Sequence, residues 1–168
     1  MADGFTLELH GLQGVYDALL KLPPEIVSKR GGPVKAALRK GATVILKQEK
    51  ANLAAVMGHQ VDGEMRLATG LLLKNLVVTR GKPPIGTKGE RYLVRVKRKT
   101  YPRKKGKAVT TVNTALNLEY GNSKQKAEPF IRPAALSKAT QAIRTIETDL
   151  SRRVEQIAAK LLQANKGK

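Results

Sequence analysis

The spacing of apolar positions changes several times along this chain, and each change predicts an element. Phe5–His10 ("FTLELH") alternates apolar and polar residues, the period of a half-buried strand. Leu12, Val15, Tyr16, Leu19 and Leu20 then recur at three- and four-residue steps, an amphipathic helix stopped by Pro23. Pro24 is suited to open another helix, since its missing N–H costs nothing at the first position. Gly31-Gly32-Pro33 interrupts or restarts that element. From Val34 the series Val34, Ala37, Leu38, Ala42, Ile45, Leu46, Leu53 predicts a helix of about twenty residues. Gly41 lies inside it, at a cost of about 1 kcal/mol relative to Ala unless a neighbour packs closely there.

Ala54–Arg66 reads as loop. Thr69 is placed to cap a short helix, "TGLLLKNL", followed by a strand around "VVTR". "GKPPIGTKGE" is too rich in glycine and proline for regular structure. "RYLVRVKRK" is a strand, with Tyr92, Val94 and Val96 on one face and Arg91, Leu93, Arg95 and Lys97 on the other. "TYPRKKGK" predicts a turn, and the β-branched "AVTTV" a returning strand.

Beyond Pro133 the apolar residues Leu136, Ala139, Ile143, Ile146, Leu150, Val154, Ile157 and Leu161 form one stripe on a helix of about thirty residues, ~45 Å long. Lys138, Arg144, Glu147, Asp149, Arg152, Arg153 and Glu155 fall on its polar face. The expected fold is α+β: a small antiparallel sheet with a basic β-hairpin arm, packed against two long helices, one of them C-terminal. One domain over 1–168 is expected, with the arm at 80–107, the long helix at 133–163 and a frayed tail at 164–168.

The chain reaches that helix through "LEYGNSKQKAEPFIRPAAL". Pro129 and Pro133 fix their own φ and bias Glu128 and Arg132 away from helix, while Pro133 suits the first helical turn. Phe130, one of two phenylalanines in the sequence, is the natural buried anchor. Arg132 is expected to pair with Glu119 and so fix the direction of the helix; the plainer alternative is a solvated arginine.

Charge narrows the function. The chain carries 32 basic and 13 acidic residues, a net charge of +19. Twelve of the basic residues lie between Arg80 and Lys107, opposed only by Glu90. Such a cluster implies a polyanionic neighbour, either nucleic acid or an acidic protein surface, although charge also serves solubility. The candidate contacts are Arg91, Arg95, Lys97, Arg98, Lys99, Arg103, Lys104, Lys105 and Lys107. Only Tyr92 and Tyr101 lie among them to stack on bases, so any contact with DNA is expected to be non-specific and salt-dependent.

Signals for chemistry are missing. There is no cysteine, and the two histidines, His10 and His59, have no acid paired with them in the sequence. Gly81–Lys88 has the glycine spacing of a phosphate-binding loop. However, it ends Thr-Lys rather than Lys-Thr, and Pro83 and Pro84 remove the amide donors that would cradle phosphate. No enzyme, metal or cofactor is expected. The sequence shows neither a signal peptide at its start nor an apolar run near the ~20 residues that cross a membrane, which predicts a soluble protein without a membrane partner.

Several motifs in order resemble one family. Glu119, Tyr120 and Gly121 followed by Pro129, Phe130, Arg132, Pro133 and Ala134 are similar to the signature of the tail-completion, or minor tail (neck), components of long-tailed bacteriophages. Upstream, Thr69, Gly70 and Leu72 resemble that family's Thr-Gly-x-Leu element. The resemblance implies a non-enzymatic virion protein, assembled in the host cytoplasm as a sixfold ring. Its partners would be its own copies, the head–tail connector or adaptor, and the tail terminator or tube, around the channel that DNA traverses. The rival expectation is a basic nucleic-acid-binding module making non-specific phosphate contacts.

Overall fold

The computed structural model describes residues 32–57, 60–61, 64–65, 70–82, 85–86, 89–102 and 108–166. The strand and helices expected before Gly32, the cap at Thr69 and the basic residues Arg103, Lys104, Lys105 and Lys107 lie outside the described residues.

The element order is α1 (Gly32–Met57), β1 (Gln60–Val61), β2 (Glu64–Met65), α2 (Leu71–Asn75), β3 (Leu76–Gly81), β4 (Arg91–Val96), α3 (Thr111–Tyr120) and α4 (Ile131–Lys166). The fold is α+β, a small antiparallel sheet packed with two long helices. Strands β3 and β4 pair from Leu76 opposite Val96 to Gly81 opposite Arg91, and β1 with β2 forms a separate ribbon. Alternation places Leu76, Val78, Val94 and Val96 on the face that meets α1, and Arg91 and Arg95 on the outer face, where both are exposed.

The two long helices run antiparallel and form the most extensive contact between elements. Close approach is built into the sequence. A Cβ on Gly41 would stand 3.0 Å from the Ala142 carbonyl oxygen and overlap the Ile146 side chain, so the glycine is explained by the helix that crosses it. Ala37, Ala134 and Ala142 are likewise buried. The main core lies toward the other end of α1. Leu53, Val56, Leu72, Leu76, Ala115, Leu118 and Phe130 form one cluster there, joined by Leu46, Leu73, Val96 and Ile131.

Several expectations are corrected. Helix α1 runs to Met57 and is followed by the β1–β2 ribbon, where loop was expected from Ala54. Helix α4 begins at Ile131, before the expected start at Pro133, and continues to Lys166. Leu136 is exposed and Asp149 buried, the reverse of their expected faces. The inward face of α4 follows the line Phe130, Ala134, Ala142, Asp149 and Leu150, set by the small residues that let α1 approach. The strand expected at "AVTTV" is reduced to one bridge, Thr100 to Thr110, and the chain then turns into α3.

Helix α3 has a local cause. The Thr110 hydroxyl accepts from the Asn113 amide, an N-cap bond of 3.3 Å. Thr111, fully buried, donates its hydroxyl to the Lys97 carbonyl at 2.7 Å and accepts from the Lys99 amide at 2.9 Å. The β-branched pair that suggested a strand therefore caps a helix and ties its first turn to the end of β4.

Candidate functional site

The constrained segment between α3 and α4 is an elbow organised on one carboxylate. Helix α3 ends at Tyr120, and Gly121 follows at φ 74° with its amide bonded to the Asn117 carbonyl. A side chain there would meet the backbone of Ala127 at 2.9 Å, so both the positive φ and the close approach require glycine. The Glu128 amide returns to the Leu118 carbonyl at 2.7 Å, closing the turn.

Glu119 is 3% exposed and accepts four hydrogen bonds through its carboxylate. Oε2 takes the amides of Phe130 and Ile131, both at 2.9 Å, and Oε1 takes the amide and Nε of Arg132, both at 3.0 Å. These amides lie at the start of α4, where helical N–H groups have no intrahelical partner and negative charge is favoured. Burial alone would raise the Glu119 pKa, but the amides of Ile131, Arg132 and Phe130 and the Arg132 guanidinium outweigh it and hold the carboxyl below its usual range. The expected pairing of Glu119 with Arg132 is present, and the amide contacts add a helix cap that sequence reasoning missed.

Arg132 completes the clamp. Its Nη2 donates to the Glu119 carbonyl at 3.0 Å, and its guanidinium carbon stands 5.0 Å from the centre of the Tyr120 ring. Phe130 is fully buried, the anchor expected. The Asn52 side-chain amide of α1 donates to the Phe130 carbonyl at 3.2 Å and is held in turn by Gln48 at 2.8 Å. Pro129 and Pro133 are exposed and act on the backbone, Pro133 from the first turn of α4. Gly70 occupies the N-cap of α2 at φ 68°, with open space where a Cβ would stand, and Leu72 packs in the core cluster that holds Phe130.

A second carboxylate faces the elbow from α1. Glu49 is 3% exposed, and its pKa is pushed up to about 7, by burial first and by the Glu119 charge second. Nothing in the local sequence of Glu49 marks it. Only the packing of α1 on the elbow brings it there.

The basic segment behaves differently from the elbow. Arg91, Arg95, Lys97, Arg98 and Lys99 are all exposed. Arg80 is instead neutralised, its Nε and Nη2 reaching the two Glu90 oxygens at 2.8 Å each, with Lys35 at 3.4 Å from the same carboxylate. Hydrogen bonding to Arg80 leads the lowering of the Glu90 pKa, against a smaller effect of burial. Among the described residues no group of three His, Cys, Asp or Glu side chains is placed to hold a metal, and no helix is long and apolar enough to cross a membrane. No protein-family model, curated protein or solved structure matches this chain.

Proposed function

We propose that this chain is a structural virion protein of a tailed phage, a neck or tail-completion subunit. It assembles as a ring, sixfold, that joins the tail tube to the head connector around the DNA channel. The observation that carries the reading is the elbow. Glu119, Gly121, Phe130 and Arg132, four of the residues that resemble the family signature, together fix where a 36-residue helix points. A rigidly aimed helix is what a ring subunit needs, because a heterologous interface closes only when the angle between copies is fixed.

Two surfaces support the reading. Leu116 and Tyr120 lie one turn apart on α3 and are 51% and 66% exposed, and Leu136 on α4 is 60% exposed. Arg132, one turn before Leu136, stacks on Tyr120 and makes these residues one strip of aromatic, aliphatic and arginine side chains, the composition of interface hot spots. The exposed cations of β4 and its following segment suit either DNA in the channel or an acidic neighbouring ring. The second reading, a nucleic-acid-binding module without a virion role, is favoured by the same cations.

The test is localisation. In tailed particles from the phage that encodes this chain, an antibody against it should label the neck in electron micrographs, and disruption of the gene should leave unjoined heads and tails. Complete particles lacking the protein would refute the proposal.

A further inference from the structure

A charged cluster at the end of the helix pair remote from the elbow has no part in the reading above. Asp149 of α4 is 2% exposed and binds three cations. Lys40 Nζ of α1 reaches Oδ1 at 2.7 Å, Arg152 Nη2 reaches the same oxygen at 3.1 Å, and Arg153 Nε reaches Oδ2 at 2.5 Å. Hydrogen bonds from Arg153, then Lys40, against burial, hold the Asp149 carboxyl far below its usual range. One buried anion therefore fixes three cations and leaves a net positive charge at the surface.

Two grooves open beside this hub. One, of about 420 Å³, is walled by Lys40, Arg144 and Arg152, with Gln141, Thr145 and Thr148 between them. The other, of about 510 Å³, carries Lys35, Arg39, Lys40 and Arg153, with Thr43 and Tyr92 on its wall. Arg39 and Arg144 are exposed. The grooves lie on the helix pair and on the inner-face residue Tyr92, whereas Arg91 and Arg95 project from the opposite face of the sheet. This is a second basic surface, distinct from the one that carries Arg91 and Arg95.

We infer that this α1–α4 face binds the phosphate backbone of duplex DNA, without reading its sequence. The chemistry of the walls selects that partner. Phosphate contacts are made by Arg and Lys together with hydroxyl and amide side chains, which are the groups present here. An acidic protein partner would require apolar or aromatic anchors at the centre of the interface, and the only aromatic on either wall is Tyr92. From Arg144 to Arg153 the face runs ~13 Å along α4, enough to meet several phosphates at 3.4 Å per strand step. Prearranged cations bind with less ordering cost than free ones, and the Asp149 cage supplies that arrangement. The assignment stands on the charge and geometry of this face, so failure of the neck reading would leave it intact.

The experiment is a fluorescence-anisotropy titration of a labelled duplex of about 25 base pairs across roughly 50 to 200 mM salt, where each lost phosphate contact lowers the slope of log K against log salt by about 0.9. Arg39→Gln with Arg144→Gln removes two charges and leaves the Asp149 cage in place. This double variant should weaken binding and reduce the slope by about 1.8. Lys124→Gln with Lys126→Gln, an equal charge change on the exposed elbow turn, should leave the slope close to that of the unaltered protein. Equal losses in both double variants, or none in the first, would overturn the assignment. So would equal competition by polyglutamate at matched charge, which would give the face to an acidic protein. Lysine acetylation of the unaltered protein provides a check that needs no variant: duplex should protect Lys40 and spare Lys124, and an unprotected Lys40 on bound protein would also overturn it.

Discussion

Glu119→Gln tests the elbow most directly, because each carboxylate oxygen serves two donors. A carboxamide keeps one acceptor oxygen. Whichever end its NH₂ occupies, that group faces two N–H donors and leaves them without an acceptor. Hydrogen bonds to charged groups contribute about 1.5–3 kcal/mol each, so losing two predicts a cost of about 3–6 kcal/mol. For a chain of this size that lowers Tm by roughly 10 °C. The measurement is urea unfolding followed by helical circular dichroism at pH 5. There Glu49 is protonated and does not repel Glu119, which is still ionised, so the substitution reports the cap alone. Arg132→Met is the comparison. The Arg132 side chain is 51% exposed, and its loss should cost less than about 1 kcal/mol because solvent screens it and the amides keep their carboxylate. A Glu119→Gln cost no larger than that of Arg132→Met would refute the reasoning, since it would mean that water satisfies the amides of Phe130, Ile131 and Arg132 equally well.

Two further predictions concern α1. Glu49 has a folded pKa of about 7, above the ordinary 4.5, so the folded state holds the proton more tightly. Its contribution is greatest below about pH 4.5 and is lost as pH rises through 7, a change of ~3 kcal/mol. Glu49→Gln should therefore match the unaltered protein near pH 5 and exceed its stability at pH 8; an unchanged difference between those pH values in chemical denaturation would contradict the burial argument. At Gly41, substitution by Val forces side-chain atoms against Ile146 and the Ala142 carbonyl and should cost about 1–3 kcal/mol in thermal unfolding. Ile146→Ala in the same chain should recover part of that loss, and an unchanged Tm for Gly41→Val would deny the close helix contact.

The sequence by itself determined the elements whose signals are local. Tyr92, Val94 and Val96 on one face with Arg91 and Arg95 on the other give β4, the three- and four-residue steps from Val34 and from Ile143 give α1 and α4, and proline and glycine locate the elbow. It also indicated Phe130 as an anchor and the pairing of Glu119 with Arg132, because a single buried aromatic and two opposite charges flank one turn. Helix α3 escaped it: Thr110, Thr111 and Val112 have the propensity of a strand, and only the bonds of Thr111 to the end of β4 decide for helix. The face of α4 was misjudged at Leu136 and Asp149 for a related reason. Helical periodicity defines a stripe but not the partner that covers it, and α1 covers the side where Ala134 and Ala142 permit approach. Tertiary structure alone decided the rest. The meeting of Glu49 with Glu119 and the Asp149 cage join residues 70 and 109 positions apart, and charge interactions at such separations exist only once α1 has packed on the elbow and on α4.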